Sequence, residues 1–260
     1  MGQINNKRIV IIGDIHGCYL ELKSLLKKIG WTEETKEDFR IITAGDLVDR
    51  GPDSLGVVRF MREQGFESVR GNHDDRYVKY HDTLLWHENN PGNPKPTWTK
   101  HQPERVEILS GLSHEDIEWI RALPTVIYID EYRTVLVHAG FMPGIEISKQ
   151  PENTKMHIRF LYPNKQSAFL DKKNGFSQPQ GSYFWAEDYQ DDWHVVYGHH
   201  VWDLDDIKIH TSPRGFSAYG IDTGACYGGF LTGLELSKDG NHIIHQVESS
   251  MPREERNKCQ

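Results

Sequence analysis

Residues 8–17 read RIVIIGDIHG, residues 39–51 read FRIITAGDLVDRG and residues 66–75 read FESVRGNHDD. Each stretch is a short apolar run that breaks into a Gly-containing loop of ligand-type side chains. Helical periodicity follows the first two. This grammar predicts strands over 8–12, 39–43 and 66–69 and helices over 20–29 and 55–61, an α/β arrangement. Ligands of open α/β sheets gather at the carboxyl ends of strands, so three polar loops that each follow a strand should converge on one site.

Further along, 86–104 holds Pro91, Pro94, Pro96 and Pro103 and reads as a surface loop, not a helix. The Ser-x-x-Asp pattern at Ser113 predicts a helix over 113–123. Residues 125–137 read as two strands that turn near Asp130 and Glu131, the second ending at His138. HVVYGHH (194–200), FSAYGID (216–222), FLTGLEL (230–236) and HIIHQV (242–247) suggest further strands. The expected organisation is one domain over 1–248, with loop-rich insertions at 87–106 and 143–190 over the site and a charged tail at 249–260.

With 260 residues and 37% hydrophobic content, the chain can bury a substantial core. No run approaches the ~20 apolar residues of a membrane-spanning helix, so a soluble, cytoplasmic protein without membrane contact is expected. MGQINN opens like a myristoylation site but carries Asn6 where that motif wants Ser or Thr. Three cysteines, Cys18, Cys226 and Cys259, have no metal-binding spacing and fit free thiols in a reducing compartment. A net charge of −8 argues against stable nucleic-acid binding through a basic surface. An anionic substrate then needs positive charge from elsewhere, and bound metal ions would supply it.

Asp14, His16 and Asp46 combine carboxylate oxygens with an imidazole, a set suited to divalent Mn, Fe, Zn or Co better than to calcium. Alternate residues face the same way in strands and tight loops, so Asp14 and His16 can address one ion. Asp46 is a candidate bridging carboxylate. Asn72 and His73 follow a third strand, and His138 and His199 end the apolar runs VLVH and VVYGH beside glycines. His200 remains an alternative to His199.

The blocks GDIHG, GDLVDRG, GNHD, VHAG and GHH resemble the signature of the phosphoprotein phosphatase branch of calcineurin-like metallophosphoesterases, over about residues 8–236. RFLYPNKQ (159–166), FWAEDY (184–189) and IDTGACYGGFLTGL (221–234) resemble symmetrical bis(5'-nucleosyl)-tetraphosphatases and ApaH-like phosphatases. The resemblance implies a four-layer α/β/β/α sandwich with mixed sheets. It implies one metal held by Asp14, His16 and Asp46, a second held by Asp46, Asn72, His138 and His199, and a water or hydroxide between them. Manganese is the expected ion, with Fe, Zn, Co or Mg as alternatives.

Two such cations would lower the pKa of water and clamp phosphoryl oxygens during in-line attack, with no covalent phosphoenzyme needed. His73 is then the candidate general acid, with Asp49 fixing its tautomer. Arg50 should grip phosphate, and Arg159, aligned with a family arginine, could add a second guanidinium fork. Trp98 and Trp185 are candidates to stack on a base. Cys18 and Cys226 read as small buried residues, and Asp74 and Asp75 as the start of a helix.

The expected substrate is a dinucleoside polyphosphate such as diadenosine tetraphosphate; alternatives are polyphosphate, an mRNA cap, or a phosphoprotein in a Ser/Thr or Tyr phosphatase. Nucleotide-hydrolase relatives often lack the Asp of the VDRG block, whereas this chain keeps Asp49 as protein phosphatases do. GNHD in place of GNHE, and the DTGACYGG block, point back to nucleotides.

Overall fold

The computed structural model describes residues 7–93, 96, 98–168 and 178–253. Strands β1 (Arg8–Ile12) and β2 (Phe39–Thr43) fall where the apolar runs place them, and β3 (Glu67–Ser68) is shorter than expected. They pair in parallel, because each is followed by a crossover helix: α1 (Tyr19–Ile29) and α2 (Ser54–Gln64). β12 (Phe230–Glu235) and β13 (Ile243–Glu248) complete this sheet antiparallel, in the order β13-β12-β1-β2-β3. A second sheet runs β10-β11-β9-β5-β4, from β4 (Val126–Ile129), β5 (Thr134–Val137), β9 (His194–Tyr197), β10 (Lys208–Thr211) and β11 (Ser217–Gly220).

Side-chain alternation sorts β1 and β2 between two cores. Val10, Ile12 and Ile41 face α1, α2, α3 (Asn72–Asn89) and α6 (His114–Ala122), packing on Leu22, Leu25, Val57, Tyr77 and Ile117. Ile9, Ile11 and Ile42 face the other way and meet Leu136, Val196 and Ile129 of the second sheet. Strands buried on both faces read as continuous apolar runs, and RIVII and FRIIT have that pattern. Val135, Val137 and Val195 point outward into a third core with Phe141, Phe184 and Trp185.

That outer core carries the fourth layer: the short helix α7 (Glu152–His157), a three-stranded sheet of β6 (Phe160–Leu161), β7 (Ser167–Ala168) and β8 (Tyr183–Phe184), and single helical turns. The expected sandwich is present.

Residues 86–104 depart from the expected loop. Residues 86–89 complete α3, and α4 (Trp98–His101) and α5 (Pro103–Gly111) take much of the rest. Pro103 begins α5 at a position where a missing N–H costs nothing, so it starts the helix rather than forbidding it. Ser113 caps α6 as expected, accepting from the Asp116 N–H while Asp116 accepts from Ser113. Of the charged tail, Ser250 binds Glu21 through both N–H and hydroxyl, and Arg253 pairs with Asp205. Residues 254–260 and the MGQINN motif lie outside the described residues. Among the described residues no helix is long and apolar enough to cross a membrane.

Trp185 is fully buried against Phe141, Tyr189 and Tyr197. It is a core residue, unavailable to stack on a base. A Cβ on Gly140, whose φ is 151°, would lie 2.2 Å from the Trp185 ring. Gly140→Ala should therefore cost about 2–4 kcal/mol through backbone strain and overpacking. A urea midpoint measures this; a loss below about 0.5 kcal/mol would show that the ring yields.

Candidate metal centre

The loops after β1, β2 and β3 and those after β5 and β9 meet between the two sheets, bringing Asp14, His16, Asp46, Asn72, His138 and His199 together. Backbone bonds lock the first two loops: the His16 N–H donates to the Asp46 carbonyl at 2.7 Å and the Gly17 N–H to that of Leu47 at 2.9 Å. His16, Asp46, Asp49, Arg50 and His199 all have left-handed backbones, with φ between 45° and 79°. Non-glycine residues hold this conformation only where the surroundings over-determine it. Gly71 and Gly198 leave room for carboxylates: a Cβ would come within 2.2 Å of Asp46 Oδ1 at the first and 1.9 Å of Asp14 Oδ1 at the second.

Asp46 is the centre of the cluster. Its Oδ2 lies 3.4 Å from His16 Nε2, and its Oδ1 lies 3.4 Å from His138 Nε2. Two ligand atoms each about 2.1 Å from one tetrahedral ion stand about 3.4 Å apart, so each oxygen has the spacing of a shared metal. The Asp46 carboxylate is fully buried, which pushes its pKa up, yet His138, His73 and His16 pull it below the ordinary range.

The histidine tautomers follow from their second nitrogens. His16 Nδ1 donates to the Val48 carbonyl at 2.9 Å and His138 Nδ1 to that of Ala44 at 2.7 Å, leaving each Nε2 lone pair facing the cluster. Asn72 Oδ1 and His199 Nδ1 lie 3.0 and 3.1 Å from His138 Nε2. Burial lowers the pKa of His16, His138 and His199, with Arg50 adding to the effect at His16 and Arg159 at His199. They are neutral imidazoles, the form that ligates metals.

The residues fit divalent ions by two further observations. Among the described residues, no donor reaches buried Asp14 Oδ1. Burial, then neighbouring Asp222 and Asp46, drives the Asp14 pKa well up, and burial raises Asp222 to about 6. Buried carboxylates so placed need a shared proton or a cation. His16, Asp46 and His73 form one group whose ligand atoms lie within 4.8 Å of one another, and Asp46, His138 and His199 form another. Asp14 stands outside the first group, with Oδ2 accepting from the His199 N–H at 3.0 Å.

His199, not His200, faces the cluster. His200 turns into an aromatic box, 4.6 Å from the ring of Trp202, 5.4 Å from Phe160 and 5.5 Å from Phe184, and burial lowers its pKa to about 3.

His73 donates from Nδ1 to Asp49 Oδ2 at 2.6 Å, as expected of a dyad. Arg50 lies over the Tyr227 ring with its Nη1 2.9 Å from His16 Nε2 and Nη2 3.3 Å from His73 Nε2. His16 has one Nε2 lone pair, so Arg50 and an ion compete for it. Arg159 is half-buried and makes no surface ion pair among the described residues: Nη2 donates to the His199 carbonyl at 2.9 Å and Nε has no partner there. Burial lowers its pKa to about 10, which leaves it charged at neutral pH.

Cys18 and Cys226 are buried, and burial pushes both thiols up, Cys18 to about 12. Asp74 caps α3, accepting from the Gly71 and Leu47 N–H groups. The Trp98 side chain lies outside the described residues.

The sequence reading missed Arg76, Tyr77 and Arg105, which converge on Asp49. Tyr77 donates to Oδ1 at 3.1 Å, Arg76 Nη1 to Oδ2 at 3.2 Å, and Arg105 to Oδ2 through Nε at 3.0 Å and Nη2 at 2.9 Å. His73, Arg76 and Tyr77 stand at i, i+3 and i+4 of one helix, a legible signal. Arg105 falls within the expected loop-rich insertion at 87–106.

A family model described as calcineurin-like phosphoesterase matches residues 7–229. The chain belongs to that family. As a calcineurin-like phosphoesterase it is a hydrolase working with divalent metal ions. It is 30% identical to the symmetrical bis(5'-nucleosyl)-tetraphosphatase of Erwinia tasmaniensis, over 86% of this chain and 92% of that one. It is 27% identical to the asymmetrical bis(5'-nucleosyl)-tetraphosphatase PrpE of Oceanobacillus iheyensis, over 86% and 87%. The crystal structure of a candidate diadenosine tetraphosphatase shares the fold, with a TM-score of 0.73 at 24% identity over 96% of each chain.

Burial raises the Asp49 pKa, but bonds from His73 and Arg105 outweigh it and hold the carboxylate below its usual range. A depressed carboxylate contributes stability that is present above its unfolded pKa and lost as pH falls through its folded one. Asp49→Asn should therefore cost about 2–4 kcal/mol at pH 7. The gap to wild type should narrow below about pH 4, near the unfolded aspartate value. Urea unfolding at pH 7 and pH 3.5 tests this, and a gap that widens in acid contradicts it.

Proposed function

We propose that this calcineurin-like phosphoesterase hydrolyses dinucleoside polyphosphates, with manganese as its working ion. Asp14, His16 and Asp46 would hold one ion, and Asp46, Asn72, His138 and His199 the other. The observation that carries the two-ion assignment is Asp46, whose two oxygens stand at equal 3.4 Å distances from His16 and His138. Bound divalent ions supply positive charge to phosphoryl oxygens and make water acidic enough to attack near neutral pH.

The chain's own residues do the rest. Water attacks phosphorus, the bond to the bridging oxygen breaks, and protonated His73 gives that oxygen a proton from Nε2. Asp49 orients the ring through Nδ1. Arg50 and Arg159 present guanidinium forks to the non-bridging oxygens. Similarity to the tetraphosphatases over most of the chain supports the nucleotide substrate, and because their names include both symmetrical and asymmetrical enzymes, product identity must fix the bond cleaved. Retention of the Asp49–His73 pair favours a second reading, a protein phosphatase.

Diadenosine tetraphosphate, a phosphopeptide and p-nitrophenyl phosphate, each incubated with protein and manganese and resolved by chromatography, separate these readings. Symmetrical cleavage gives two ADP; asymmetrical cleavage gives ATP and AMP. Phosphopeptide turnover without nucleotide cleavage transfers the assignment to protein phosphatase.

A chelator should abolish turnover, and Asp46→Asn should lose both metal and activity. His73→Asn should keep its metal by elemental analysis and lose about 100- to 10,000-fold in kcat, as expected for a lost general acid. Undiminished turnover would remove His73 from the mechanism.

A further inference from the structure

The Asp49 carboxylate receives more cationic partners than it can use. Its oxygens accept from His73, from Tyr77 and twice or more from Arg105, whose remaining Nη1 donates to Gln102 Oε1 at 2.5 Å. A carboxylate offers about four lone-pair positions, and these partners already fill them. Arg76 comes in addition, with Nη1 3.2 Å from Asp49 Oδ2 and 3.1 Å from His73 Nδ1. Among the described residues the other donors of its guanidinium have no acceptor, and its side chain is 30% exposed.

Charge gives the same result. Asp49 is the one carboxylate within ion-pair distance of either Arg76 or Arg105 among the described residues. Two guanidinium cations against one anion leave a net positive charge beside His73 Nδ1. Orienting His73 does not require it, because Arg105 alone holds Asp49 with two nitrogens. A planar guanidinium fork with free N–H groups beside the proposed proton donor has the chemistry of a phosphate anchor.

We infer that Arg76 is a specificity-determining residue which binds the phosphates of the leaving group, beyond the phosphorus that is attacked. The inference rests on the proposed hydrolysis of a phosphoanhydride chain at this site. A monoester leaves as an alcohol or phenol with nothing for Arg76 to hold. A nucleoside polyphosphate leaves as a further phosphate whose oxygens carry charge to the His73 side. Arg76 thus separates polyphosphates from monoesters, while Arg50 and Arg159 serve both.

Calorimetric titration of the manganese-loaded protein, with manganese in excess, compares methylphosphonate, which offers one phosphonate, with methylenediphosphonate, which offers two joined by a bond that water does not cleave. In Arg76→Gln the diphosphonate should bind at least tenfold more weakly and the monophosphonate less than twofold more weakly. Arg76→Lys, which keeps the charge without the fork, reads the same ratio if the glutamine variant does not fold, with at least a threefold selective loss expected. Equal losses for both ligands would make Arg76 a structural partner of Asp49 and overturn the proposal, as would no loss for either. Nucleotide products from the wild type decide the parent reading separately. Selective diphosphonate binding without cleavage of diadenosine tetraphosphate would keep the subsite and discard that substrate.

Discussion

The Asp46 carboxylate is where the two sheets become one site. It sits on a loop of the first sheet and stands 3.4 Å from His138, which ends a strand of the second. Its Oδ1 also accepts the His73 N–H at 2.8 Å, which fixes the start of α3. A buried carboxylate is tolerated only when its lone pairs are met, and here the His73 N–H donates to Oδ1 while the imidazoles of His16, His73 and His138 stand around it. Moving Asp46 would disturb both candidate ion positions, the helix carrying His73 and the contact between sheets.

Backbone strain is distributed around the same point. Left-handed conformations at non-glycine residues cost on the order of 1 kcal/mol each or more, and they cluster at His16, Asp46, Asp49, Arg50 and His199. At 198–200 the left-handed backbone separates neighbours: with His199 at φ 69°, its ring faces Asp46 and that of His200 faces Phe184. Alternation along a strand could not make that choice, which is why the sequence left both histidines open.

The parts legible in the sequence are those whose information is local. GDIHG, GDLVDRG and GNHD each place a strand end, a tight turn and a ligand-type side chain within a few residues, and β1 and β2 formed over the expected residues. The α4–α5 region was not legible, because α5 is weakly amphipathic and opens with a proline that also marks loops. Arg105 was lost with it, since its role depends on Asp49, fifty-six positions away. Trp185 lay in a turn-rich, aromatic segment, and only the packing of the outer core shows that it fills space.

The His199 N–H donates to Asp14 across 185 positions of chain. Contacts of such separation form only after a large loop has closed, and they tend to make folding slow. A ribosome-bound chain that has emerged only as far as the third strand carries Asp14, His16 and Asp46 but neither His138 nor His199. With the proposed ligands, the full cage would exist only once the second sheet has docked, so a partly folded intermediate would offer ions an incomplete one.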